Sequence, residues 1–124
     1  MAYWLMWTLT PQPGFARRLK KLGKRNRDEV KAVLRNLDVY VGSLNQGVQP
    51  QQLFRHSFVH NEQAGVHAID QSPLRKGARA MRLYVFPDID RSTLHVITLG
   101  DKGTQSDDVN ECAKFVRQLR STSG

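Results

Sequence analysis

Apolar positions along this chain recur with two periods, and the switches between them mark out the elements. The pattern is clearest late in the chain. Residues 80–86 and 93–99 are dense in aromatic and β-branched side chains, and the segment between them, Pro87-Asp88-Ile89-Asp90-Arg91-Ser92, has the composition of a turn. Together they predict a β-hairpin. The second run ends at Gly100-Asp101-Lys102-Gly103, where glycines permit a sharp exit. A helix is expected next, with Ser106 as its N-cap and Asp107 and Asp108 complementing the positive end of its dipole. Val109, Cys112, Ala113, Val116 and Leu119 fall at helical spacing and give it one apolar stripe.

Upstream, residues 3–9 are apolar on both alternating sides, which predicts a strand covered on both faces or lying inside the sheet. Thr10-Pro11-Gln12-Pro13-Gly14 ends it. Phe15, Leu19 and Leu22 predict a short amphipathic helix stopped by Gly23. A second helix is expected over 27–44, with Val30, Val33, Leu34, Leu37, Val41 and Leu44 on its apolar face and basic residues opposite. Residues 47–61 show no clean period. Residues 66–71 read as a short strand and 72–78 as a basic turn. The expected order is β-α-α-β-β-β-α over residues 1–124. That is one α+β domain: a small, mostly antiparallel sheet with an N-terminal helical hairpin and a C-terminal helix.

Charge changes the picture more than composition does. The 124 residues hold 19 Lys and Arg against 11 Asp and Glu, a formal net charge of +8. Arg17, Arg18, Lys20, Lys21, Lys24, Arg25, Arg27, Lys31 and Arg35 crowd one segment. Such clustering points to a polyanion, a nucleic acid or an acidic protein, rather than to plain solubility. The single cysteine, Cys112, lies on an apolar stripe and reads as a buried thiol. It has no internal disulfide partner, which fits a reducing, cytoplasmic setting. The opening apolar run is too short to cross a bilayer and no basic stretch precedes it, so no membrane partner is expected. His56 and His60 stand four apart, a metal-ligand spacing on a helix. Pro50 and Gln51-Gln52 argue for a loop there and no third ligand fits, so neither metal nor cofactor is expected.

Three features carry a resemblance. Arg82-Leu83-Tyr84-Val85-Phe86 looks like an arginine-led strand; the distance from Arg82 to Gly100 sets the glycine that closes the next strand; and Asp101-Lys102-Gly103-Thr104-Gln105-Ser106 leads into an acidic helix start and Cys112-Ala113. In this order, behind an N-terminal helical hairpin, they resemble the RelE/ParE toxin superfamily and within it the HigB-like branch and its phage relatives. The resemblance implies a toxin of a type II toxin–antitoxin pair, a metal-independent endoribonuclease that cuts mRNA on the ribosome and is neutralised by a cognate antitoxin. A ParE-like gyrase inhibitor, or an inactive member that binds nucleic acid or protein, is the alternative. RelE-type members often carry a tyrosine in or near the last helix and two lysines on the strand before the arginine. Here Asp107 or Asp108 holds the first place, no tyrosine follows Tyr84, and the strand reads His67-Ala68-Ile69-Asp70.

Cleaving RNA without metal needs a base for the 2′-hydroxyl, an acid for the leaving 5′-oxygen and cations for the growing phosphorane charge. Arg82 and Lys102 suit the cation role, Arg82 having an ion pair to Asp70 as its structural counterpart. His67 is the favoured acid or base, while His95 reads as a core histidine. Gln105 could hold a phosphate or base. Arg75, Lys76, Arg79, Lys24 and Arg25 are the expected nucleic-acid contacts.

Overall fold

The computed structural model of the chain describes residues 6–122. Its elements are β1 Thr8–Pro11, α1 Pro13–Arg25, α2 Arg27–Asn45, β2 Val59–Asn61, β3 His67–Asp70, β4 Met81–Asp88, β5 Thr93–Asp101 and α3 Gln105–Thr122. Short 3-10 turns at Pro50–Arg55, Gln63–Gly65, Ile89–Arg91 and Lys102–Thr104 fill four of the connections. The strands form one sheet in the order β1-β5-β4-β3-β2. β1 is parallel to β5, and the other neighbours are antiparallel. This is the α+β arrangement expected, with one strand more. The addition, β2, lies in the stretch without a period: three residues are too few to show alternation.

The sheet separates two apolar layers. Met81, Leu83 and Val85 of β4 face the helical hairpin and pack with Val30, Val33, Leu37, Tyr40 and Leu44 of α2. Tyr84 and Phe86 face the other way, onto Cys112 and Val116 of α3. Burying each such side chain is worth about 1.5–3 kcal/mol, so both layers are needed to hold so short a sheet. Between them the ladder slips by one residue. Tyr84 lies opposite Thr98 and Val85 opposite Val96, which leaves Ile97 as a bulge. The slip keeps Leu94, Val96 and Leu99 on the hairpin side while Ile97 joins the α3 side.

Three local expectations change. β1 is an edge strand, exposed along most of its length, with Leu9 41% accessible. Residues 3–5 of the expected strand lie outside the described residues. Gly23 does not stop α1. The helix runs through it to Arg25, and the break comes at Asn26, whose backbone (φ −129°, ψ 53°) ends α1 and starts α2. Pro13 sits in the first turn of α1, where a missing N–H costs nothing. Ser106 is not an N-cap: α3 continues from the preceding 3-10 turn, which Asp101 caps by accepting the Thr104 N–H at 3.2 Å. Asp108 stands in the first turn of α3, where it was expected to complement the helix dipole, and is fully buried.

A candidate active site at one end of the sheet

β3 and β5 end where β4 begins, so the row Asp70–Arg82–Gly100 crosses the sheet at one end. Gln71 fixes the start of β4. Its buried side-chain oxygen accepts the Met81 N–H, and its amide donates to the Arg79 carbonyl at 2.9 Å. Two more arginines converge here. Arg79, just before β4, holds Asp101 at 2.8 Å. Arg18 of α1 reaches past β5, donating to the Leu99 carbonyl at 3.1 Å and pairing with Asp108 of α3 at 3.3 Å. β1 pairs only with residues 93–96 of β5, so the later half of that strand has no partner strand on this side and Arg18 supplies a donor. Burial raises the Asp108 carboxyl above its ordinary range, opposed by the Thr104 hydroxyl, which donates to it at 2.7 Å, and by Arg18. The carboxylate lies directly over Gly100.

Arg18, Lys21, Arg25 and Arg79 line a concavity of about 180 Å³ here, with Thr104, Asn26 and Asp101. Two of the expected nucleic-acid contacts, Arg25 and Arg79, therefore meet in one place. Lys24 is exposed one position earlier on α1. Lys102 stands exposed on the 3-10 turn beside Asp101, and Gln105 is half-buried at the first residue of α3. Arg75 and Lys76 lie elsewhere. They line a cleft of about 570 Å³ with Lys31 and Arg35, and Asp28 and Glu29 share it.

The sheet face opposite the hairpin carries a second polar group beside this rim. Val59, Ile69, Met81 and Leu83 pack toward the hairpin, so the alternate residues His60, Asp70 and Arg82 face the other side. His60 Nε2 lies 2.6 Å from Asp70 Oδ2, and Asp70 Oδ1 accepts the Ser72 N–H at 2.8 Å. Burial works against the Asp70 charge, but these hydrogen bonds outweigh it and hold the carboxyl below its ordinary range. The ion pair to Asp70 weighed as the structural alternative for Arg82 does not form. Arg82 crosses β3 instead and meets Glu62 at 3.1 Å, both partners mostly buried. Tyr84, buried next along β4, feels Arg82, Glu62 and Asp108, and burial raises its hydroxyl well above the ordinary range.

The structure does not bring His67 to this end. It starts β3, three positions from Asp70, and turns toward the hairpin, where Nδ1 lies 2.9 Å from the buried Tyr40 hydroxyl. Burial depresses its pKa to about 4, so the ring is neutral near pH 7. His95 sits against Phe86 and Phe115, its pKa lowered by burial. His56 stacks on Phe58 at 5.0 Å, apart from the His60 pair. Among the described residues no group of three or more His, Cys, Asp or Glu is placed to hold a metal ion. The residue that sequence reasoning passed over is His60. It was weighed only with His56 as a metal-ligand spacing, and its strand of three residues is too short to show a period.

No family model matches the chain, and a search of curated proteins finds no match. Among solved structures, the crystal structure of a metal-bound toxin from Helicobacter pylori is similar at 20% identity, covering 79% of this chain and 97% of that one, with a TM-score of 0.39. That score lies below the level at which two chains are said to share a fold. No described helix is long and apolar enough to cross a membrane.

Proposed function

We propose that this chain is a toxin of a type II toxin–antitoxin pair, a metal-independent endoribonuclease that cuts mRNA on the ribosome. The order of elements and the Arg82-to-Gly100 and Lys102-to-Cys112 stretches support the reading by their resemblance to RelE- and HigB-like proteins. The observation that carries it is the gathering of cations at one sheet end. Arg18, Lys21, Arg25 and Arg79 line one concavity with Asp101, Lys102 follows Asp101 in the chain, and Arg82 stands at the start of β4. Cations so focused attract a phosphodiester backbone over a neutral or acidic partner. In this reading Arg82 and Lys102 hold the phosphorane charge, Gln105 reaches a phosphate or base, and Lys24, Arg25 and Arg79 position the strand. Arg75 and Lys76 extend the contact along the neighbouring cleft. The antitoxin covers the same basic surface.

The test is induction in cells together with cleavage of ribosome-bound mRNA in the presence of EDTA. The parent protein should arrest growth and cut, and Arg82→Ala with Lys102→Ala should do neither while keeping its circular dichroism. A parent that leaves mRNA whole but blocks gyrase supercoiling would move the chain to the ParE-like reading. A double variant as toxic as the parent would remove Arg82 and Lys102 from the site.

A further inference from the structure

We infer that His60, held by Asp70, is the general base of this site, taking the proton from the ribose 2′-hydroxyl. The inference rests on the ribonuclease reading above and supplies the proton acceptor that reading lacks. Asp70 is ionised and can only accept, so the 2.6 Å contact puts the imidazole hydrogen on Nε2. Nδ1 of the neutral ring is then left with a lone pair, the form a base requires. The ring is 36% exposed, open to an incoming strand, whereas His67 and His95 are nearly closed off from solvent. Asp70 is itself pinned by the Ser72 N–H, so the imidazole has a fixed orienting partner.

The charged groups facing this pair all belong to the site. Arg82 lies opposite Asp70 on the next strand, and Glu62 holds its guanidinium. Tyr84 lies across Ala68 from His60 in the same row. A phosphate drawn to Arg82 would therefore arrive on the strand next to Asp70, on the face that His60 shares. The 2′-oxygen attacks phosphorus as its proton passes to Nδ1, and the bond from phosphorus to the 5′-oxygen breaks. The 5′-oxygen takes a proton from water, giving a 2′,3′-cyclic phosphate and a 5′-hydroxyl end. The imidazolium so formed faces the Asp70 carboxylate, which stabilises it.

The experiment compares the parent with His60→Ala, His60→Gln and Asp70→Asn on ribosome-bound mRNA, with product ends identified by mass. Loss of a positioned base costs roughly 10²-fold or more in kcat. His60→Ala and His60→Gln should show that loss with little change in KM. Imidazole added to His60→Ala should restore cleavage, which a structural role for the ring would not allow. Asp70→Asn should lower kcat by less. If the parent cuts and His60→Ala cuts as fast, or if imidazole restores nothing to a folded His60→Ala, the base is elsewhere and the ribonuclease reading stands without it. A parent that cuts no RNA removes both.

Discussion

Gly100→Ala should be the most damaging single-methyl change in this chain. Gly100 lies next to the last residue of β5 without a positive φ, so the cause is space and not backbone freedom. A β-carbon placed there would stand 1.9 Å from Asp108 Oδ2, 2.5 Å from Thr104 Oγ1 and 3.0 Å from Asp108 Cγ. The first two are the ends of side chains, which elsewhere could swing aside. Here they cannot do so freely. Asp108 is fully buried, holds Arg18 at 3.3 Å and accepts from Thr104 at 2.7 Å. Overpacking of this kind costs about 1–3 kcal/mol, and disturbing a buried, hydrogen-bonded ion pair adds toward the 3–5 kcal/mol of a broken one. A loss of about 3 kcal/mol lowers Tm by about 10 °C in a domain of this size. Thermal and urea unfolding followed by circular dichroism would measure it. A cycle with Asp108→Ala isolates the cause, since removing the carboxylate empties the space the methyl needs. Gly100→Ala should cost at least ~1 kcal/mol less in that background. An unchanged midpoint in the single variant, or an equal cost in both backgrounds, would refute the steric account.

Three further outcomes follow from other parts of the structure. His67 is neutral when folded, with a pKa near 4 against an ordinary 6.5, so the folded state binds fewer protons and stability falls as pH drops through that window. The loss amounts to at most about 3 kcal/mol, and His67→Gln should flatten the slope of stability against pH between 6.5 and 4; a slope equal to the parent's would show that other groups carry it. Cys112 is fully buried and its thiol is pushed up to about 12, so iodoacetamide should label it only in denaturant. Rapid labelling of the folded protein would contradict the packing of α3. If RNA phosphates occupy the concavity under α1, Lys21→Ala with Arg25→Ala should weaken RNA binding and reduce the slope of log K against log salt by about 1 to 2. An unaltered salt slope would place the RNA elsewhere.

Legibility in the sequence followed contact range. α2 and the hairpin were readable because Val30, Val33 and Leu37, and Leu83 and Val85, repeat within a few residues of one another. α1 was misjudged at Gly23, where a β-carbon would meet nothing within 4 Å and the helix passes through unopposed. The stop at Asn26 depends on how the two helices dock. β2 was missed because its pairing with β3 is all that defines it. The site suffered most. Arg82 and Lys102 were legible as cations, but the partner of Arg82 was not: Glu62 lies outside the strands and twenty residues away, and meets it only once the sheet has formed. The His60–Asp70 contact spans ten residues and two strands, and neither residue is conspicuous until the strands are in register.

The pairing at the basic end shows which cations the fold already compensates and which it leaves in surplus. Arg18, Arg79 and Arg82 each have a carboxylate within 3.3 Å: Asp108, Asp101 and Glu62. These pairs tie α1 to α3, the loop before β4 to the end of β5, and β4 to the segment after β2. They account for three guanidinium groups without any ligand. Lys21, Arg25 and Lys102 have no such account, since no carboxylate pairs with any of them among the described residues. Folding alone would favour an electroneutral end, because uncompensated like charges brought together destabilise the compact state. The surplus is therefore a cost to stability concentrated around one concavity, beside an ionised Asp70 and its imidazole. A polyanion that supplies the missing negative charge would relieve that cost on binding, which ties the RNA reading to a measurable consequence: a short oligonucleotide should raise Tm at low salt, and the rise should vanish as salt is added.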